Sequence, residues 1–232
     1  MANYNLKAIP EAMSSVAKRE NIRVHVSETN SKLGCIPAFN LLPMVTCSSM
    51  ACKTCLKDGC YAVKNLFRRG YNVEKNFCFS AWTENTVLAK TSLFTLQVEL
   101  EKYLLKKQPR FFRIHASGDF FSVGYAKMWF YIAEKFPQVK FLAFTKQWDV
   151  IRDLETMGKS FSTLPNFSLV LSGWTGCNIP EDLREKYHCA WCNDGKETRI
   201  PENALECPGN CETCGMCWNL RELNRDTYFH KH

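Results

Sequence analysis

Apolar and polar residues alternate over Ile22–Val26, and a period of two predicts a strand. Residues 30–46 break that pattern with Gly34, Pro37 and Pro43 and read as loop. From Tyr61 to Arg69 the spacing is helical, with Gly70 placed to end the helix. The longest helical pattern spans 84–107, where Leu88, Leu93, Leu96, Leu100, Leu104 and Leu105 recur. Thr83 is the expected N-cap of that helix, and Pro109 stops it. Buried strands are predicted at Phe111–Ile114, Lys140–Thr145 and Ser168–Leu171, with helices at Val123–Lys135 and Val150–Met157 between them.

The three strands start about 28 residues apart with a helix in each gap, the rhythm of βαβ units and a parallel sheet. With Ile22–Val26 as a fourth strand, the units are too few for a full eight-stranded barrel, which leaves an open sheet or a partial barrel. Past Trp174 the rhythm is lost. The expected fold is therefore α/β, with an α/β domain over residues 1–174 and a cysteine-rich, metal-binding extension over 175–232 packed on it.

Thirteen cysteines in 232 residues change the picture. The number is odd, a chain of this length needs no disulfide staples, and the N-terminus lacks a basic stretch followed by an apolar one. No run of apolar residues is long enough for a transmembrane helix. The expectation is a reduced cytoplasmic protein whose clustered thiols bind metal. The formal charge of +7 suggests an acidic partner such as nucleic acid. Two 4Fe–4S clusters on thiolates, each adding about −2, reduce it to roughly +3 and weaken that hint.

Cys207, Cys211, Cys214 and Cys217 lie within eleven residues, close enough to wrap one compact cluster, with Gly209 and Gly215 to turn the backbone. Four-thiolate zinc sites usually draw on two separated CxxC knuckles, so iron–sulfur is preferred and zinc is the alternative. The first three of these cysteines also have radical S-adenosylmethionine spacing, but Cys217 supplies a fourth ligand and leaves no open iron. A second set, Cys47, Cys52, Cys55 and Cys60, is expected on a loop after the Ile22–Val26 strand, at the edge where parallel sheets bind ligands. The pair Cys189/Cys192 either joins Cys52 and Cys55 in a separate site or stands alone. Cys35, Cys78 and Cys177 are expected as buried small hydrophobes.

The runs SKLGCIPAFNLLP, CYA at Cys60–Ala62, RIHASGDFFS at Arg113–Ser122, AFTK at Ala143–Lys146 and the terminal CPGNCETCGMCW resemble the phage gene-product-88 family. The resemblance covers most of residues 31–218 and implies a phage protein, hence a host-cytoplasmic setting. The CYA and SGD elements are more distantly similar to phage proteins with a radical S-adenosylmethionine-like partial barrel. The chain departs from the family pattern in two ways: it carries four cysteines in the first set where three are expected, and it has the Cys189/Cys192 pair. Both departures leave room for an extra metal site.

Ser117, Asp119 and Lys146 fall at strand ends on the edge where a cofactor would sit, with His115 just before them. Asp119 either binds a ribose, an amine or a methionine ammonium group, or caps the following helix. His115 is either a donor beside a cluster or a hydrogen-bonded core histidine. Lys102, Lys106, Lys107, Arg110 and Arg113, interleaved with Tyr103, Phe111 and Phe112, form either a nucleic-acid surface or a solvated helix face. Three functions follow: a radical S-adenosylmethionine-like iron–sulfur enzyme of undefined substrate, a non-catalytic iron–sulfur protein binding nucleic acid or a host protein, and a zinc-stabilised binding module.

Overall fold

The computed structural model describes residues 7–49, 51, 55, 60–67 and 76–230. Its centre is one sheet of eight strands: β1 (Val26–Ser27), β2 (Ala38–Phe39), β3 (Phe111–Ile114), β4 (Lys140–Thr145), β5 (Phe167–Gly173), β6 (Cys189–Asn193), β7 (Leu205–Glu206) and β8 (Thr227–His230). The spatial order is β1-β2-β3-β4-β5-β6-β8-β7. Only the β1–β2 pairing is antiparallel. The sheet ends at β1 and β7, which do not pair with each other among the described residues.

The central strands bury both faces, as parallel strands do. Phe112 and Ile114 of β3, Phe141 and Ala143 of β4, Leu169 and Leu171 of β5 and Trp191 of β6 join one large core. It is covered by α4 (Leu93–Lys107), α5 (Val123–Lys135) and α6 (Trp148–Thr156) through Leu96, Leu100, Trp129, Ile132 and Ile151. The alternate residues Ala38, Leu142, Val170 and Ala190 face the other way, and among the described residues no long helix covers them. Leu33, Ile36, Trp218 and Leu220 do so instead, with Cys211 and Cys217 packed at their margin. A third core joins α1 (Ala8–Val16), α2 (Tyr61–Phe67) and α3 (Phe77–Thr91).

The expected strands Phe111–Ile114 and Lys140–Thr145 and the helix Val123–Lys135 have the predicted bounds, and Ser168–Leu171 lies inside β5. Five readings are corrected. Ile22–Val26 is not a strand: only Val26 enters the sheet, because the Arg23 and His25 amides bond to the side chains of Glu84 and Asn85 instead of a neighbouring strand. The 30–46 loop contains β2, the first strand of the parallel series. The 84–107 helix is two helices meeting at Ser92, whose φ of −145° and ψ of 56° are not helical. Thr83 lies inside α3 and donates to the Phe79 carbonyl, while Asn76 is the cap, its side chain accepting from Phe79 N–H. The chain past Trp174 also continues the sheet through β6, β7 and β8.

Helix α3 carries polar residues on a buried face. Glu84 accepts from Arg23 N–H and pairs with His25 and Arg19. Asn85 accepts from His25 N–H and donates to the carbonyls of His25 and Asn40, and Thr86 accepts from Leu42 N–H. These side chains give irregular backbone the hydrogen bonds a strand ladder would otherwise supply. Asn85→Ala should therefore cost about 2 kcal/mol, since the buried Asn40 carbonyl and two part-buried groups of His25 lose their partner together. Urea unfolding measures it, and a cost below about 1 kcal/mol would show that water replaces Asn85.

Candidate functional site: two cysteine sets and the strand-end loops

The first cysteine set follows β2, not Ile22–Val26, and so lies beyond the C-terminal end of the first parallel strand. Cys47, Cys55 and Cys60 are half-buried, while Cys52 lies outside the described residues. The loop leading to them is tied down at Thr46, next to Cys47. Thr46 Oγ1 donates to the Leu42 carbonyl and accepts from Asp119 N–H, and its own carbonyl accepts from the Gln147 side chain. Gly118 makes the approach possible: at φ +87°, a Cβ there would stand 2.6 Å from Leu41 Cβ and 2.8 Å from Thr46 Oγ1.

Asp119 is the hub of this edge. Its carboxylate accepts from Phe120 N–H at 2.8 Å, Thr145 Oγ1 at 2.7 Å and Lys146 N–H at 2.8 Å. Burial raises its pKa above the ordinary carboxylate value, against the pull of those donors. Its oxygens are thus committed within the protein. The helix it was expected to cap is capped by Ser122, which accepts from Tyr125 N–H. Lys146 meets Asp119 through its backbone, and its ammonium lies 5.9 Å from the Trp174 ring centre.

Ser117 is buried, its N–H directed at Asn40 Oδ1, with no hydrogen-bond partner for its hydroxyl among the described residues. His115 is a core histidine: Nε2 meets the Tyr125 hydroxyl at 2.7 Å, and the ring packs on Phe120 and Tyr125. Burial, then the charge of Arg113, depress its pKa to about 3. Its φ of +60° turns its carbonyl to Arg113, whose Nε and Nη2 both lie 3.3 Å from it.

The second set is built by a capped turn. Asn210 accepts from Thr213 N–H, and Gly215 ends the turn at φ +62°, placing Cys211 and Cys214 one helical turn apart on a common side. A 3₁₀ turn at Met216–Trp218 then brings in Cys217. The segment docks on the SKLGC loop: Cys211 N–H donates to the Lys32 carbonyl, and Cys35 N–H donates to the Glu212 carboxylate. A Cβ on Gly34 would fall 1.9 Å from Glu212 Oε2, so no larger residue fits without moving that side chain. Burial pushes the Cys217 thiol up to about 12 and raises Cys211; Arg113 opposes both shifts, while thiols of the same set add to them. Among the described residues no three His, Cys, Asp or Glu side chains converge closely enough to hold one metal ion. All four C-terminal thiols are half-buried, and Lys32 and Arg113 act on Cys211 and Arg113 on Cys217.

Cys189 and Cys192 do not work as a pair. They stand three residues apart on β6, where side chains alternate, so Cys189 points with Trp191 into the helical core while Cys192 takes the Ala190 side. Of the expected buried thiols, Cys177 is buried and accepts from Trp174 N–H, but Cys35 and Cys78 are exposed. The basic stretch is divided: Lys107 pairs with Glu28, Lys102 with Glu99, and Arg113 points into the sheet face against Phe144. Sequence reasoning missed the inward role of Arg113, although alternation in Phe111–Ile114 puts it opposite Phe112. It also missed Tyr61, whose hydroxyl donates to the Ala116 carbonyl within electrostatic reach of Arg113, Cys60, Cys47 and Cys55.

The sequence profile of the family described as gene product 88 matches residues 13–220. The chain belongs to the gene product 88 family. The match takes in both cysteine sets, the Asp119 hub and the Glu212 dock. No curated protein and no solved structure matches this family member. None of its described helices is long and apolar enough to cross a membrane.

Two outcomes are expected. Because the folded pKa of His115 lies below the ordinary value near 6.5, its contribution to stability is lost as pH falls from about 6.5 towards about 3. His115→Asn, which tolerates the positive φ, should flatten that part of the urea-unfolding profile; parallel wild-type and variant profiles would exclude His115 as its source. Cys189→Ser should leave bound metal unchanged while lowering the thermal midpoint, because it puts a hydroxyl in the apolar core. Loss of metal in that variant would make Cys189 a ligand.

Proposed function

We propose that this gene product 88 protein carries iron–sulfur clusters, one on Cys207, Cys211, Cys214 and Cys217 and a second on thiols of residues 47–60. The observation that supports the reading is four thiols within eleven residues, carried by a capped turn and a 3₁₀ turn, of which Cys211 and Cys217 pack against the second sheet face. Four thiolates from one short segment suit a cluster better than the two-knuckle pattern of zinc. A cluster would supply one-electron chemistry, and the chain would hold it through a dock that involves no metal, at Lys32, Gly34 and Cys35.

The finer reading is a radical S-adenosylmethionine-like enzyme. Its support is positional: the first cysteine set leaves the C-terminal end of the first parallel strand, where ligands of such sheets gather, while Cys211 and Cys217 of the auxiliary set pack against the second sheet face. In this reading Asp119 holds the loop in place and leaves cofactor contact to other groups. For the nucleic-acid alternative, Lys106 and Arg110 remain exposed, while Lys102 and Lys107 pair with Glu99 and Glu28 and Arg113 turns to Phe144.

Anaerobic purification followed by iron, sulfide and zinc analysis tests the reading. Absorbance near about 400 nm and iron with matching sulfide are expected. Cys211→Ser or Cys214→Ser should remove about four irons per chain. Zinc without sulfide would overturn the cluster assignment. A change in the electron paramagnetic resonance spectrum on adding S-adenosylmethionine supports an open iron; an unchanged spectrum with all clusters present removes the enzymatic reading and leaves the electron-carrying or structural one.

A further inference from the structure

The second sheet face is covered at one end only. Along β4 Leu142 is fully buried, while Phe144 and, just past the strand, Lys146 are half-buried. Strands β6 and β8 repeat the change: Ala190 and Thr227 are buried, and Cys192 and Phe229, one alternation further on, are half-buried. Strands flanked on both sides bury both faces wherever chain is packed on them, so the cover stops short of the C-terminal half. Trp218, whose Nε1 donates to the Phe112 carbonyl, and Cys217, whose carbonyl accepts from Ser168 Oγ, lie over the other half.

The uncovered part is basic. Arg113, half-buried, stands in register with Leu142, and its guanidinium lies 4.1 Å from the centre of the Phe144 ring. Its Nε and Nη2 both lie 3.3 Å from the His115 carbonyl, so one edge of the guanidinium is anchored. The opposite edge, Nη1 with the second Nη2 hydrogen, has no acceptor among the described residues, and no carboxylate pairs with it there. A guanidinium held by one edge presents the other as a fork that matches a carboxylate or a phosphate. Thr145 pairs with Leu171, which sets Lys146 level with Ser172. Ser172 is 7% exposed, and its hydroxyl has no hydrogen-bond partner among the described residues. The Lys146 ammonium, 5.9 Å from the Trp174 ring centre, forms no ion pair among them either. Asp119, the carboxylate bonded to the Lys146 amide, is already occupied by three donors.

We propose that this patch is a binding site for a small anion bearing a carboxylate or a phosphate, forked on the free edge of Arg113, with Lys146 adding charge and Ser172 a hydrogen bond. The inference goes beyond the cluster reading and requires no metal.

The test is thermal unfolding of the anaerobically purified, full-length protein with inorganic phosphate or with succinate added, against sodium chloride at equal ionic strength. A saturable rise of the midpoint with one of the two anions is expected, and which one it is separates a phosphate ligand from a carboxylate. Arg113→Gln should weaken the apparent affinity about tenfold or more, since charge-assisted hydrogen bonds are lost. Arg113→Lys keeps the charge without the fork and should fall between that variant and wild type. Lys146→Gln should weaken binding a few-fold, whereas Lys106→Gln, on the exposed side of α4, should bind as wild type does. No rise beyond that in chloride, an unchanged affinity in Arg113→Gln, or an equal loss in Lys106→Gln would overturn the proposal. Should Arg113→Gln fail to fold, Lys146→Gln decides, and an unchanged affinity there overturns it.

Discussion

The C-terminal edge of the sheet depends on one buried carboxylate. Asp119 gathers the amides of Phe120 and Lys146 and the hydroxyl of Thr145, while its own N–H reaches Thr46. Three loops leave the sheet here, after β2, β3 and β4. The carboxylate accepts from those after β3 and β4, the Asp119 N–H donates to Thr46 in the one after β2, and burial raises the carboxylate pKa. The first cysteine set begins one residue beyond Thr46, so the placement of those thiols follows from the geometry of Asp119.

The two faces of the sheet are closed by different means. Helices cover one, with Trp129, Ile132 and Ile151 interlocking against Phe112 and Phe141. The other is closed by loop and short helical turns, Leu33 and Ile36 from one end and Trp218 and Leu220 from the other. Irregular chain leaves polar backbone to be satisfied, and Glu212, Lys32 and Cys35 do so between them. Polar side chains can stand on this second face because its cover is thin, and that is where Arg113 and the thiols lie.

Much of the fold was legible in the sequence where elements are long and apolar. Phe111–Ile114, Lys140–Thr145 and Val123–Lys135 have the bounds their periodicity predicts. What was not legible rests on side chains replacing backbone partners. The alternation at Ile22–Val26 is real, but Glu84 and Asn85 take up its amides, and a two-residue strand such as β2 carries no periodicity at all. Leucine spacing runs through Ser92 without a break, so only its dihedrals reveal two helices. At the site, spacing marked the cysteine sets, and the SGD motif marked the right edge. The sequence could not show that Asp119 faces the protein, nor that Cys189 and Cys192 part to opposite faces, since CxxC reads alike on a loop and on a strand.

The dock between Cys35 and Glu212 joins residues 177 positions apart. During synthesis the sheet face around Ala38, Leu142 and Val170 is therefore made long before Trp218 and Leu220 emerge to cover it. A nascent chain halted before that point presents a bare apolar surface, the kind of intermediate that aggregates or recruits chaperones. Closing so long a loop also slows folding, because chain entropy is lost before the contact returns any stabilisation. The C-terminal thiols thus reach the sheet only after β2 to β6 have been made.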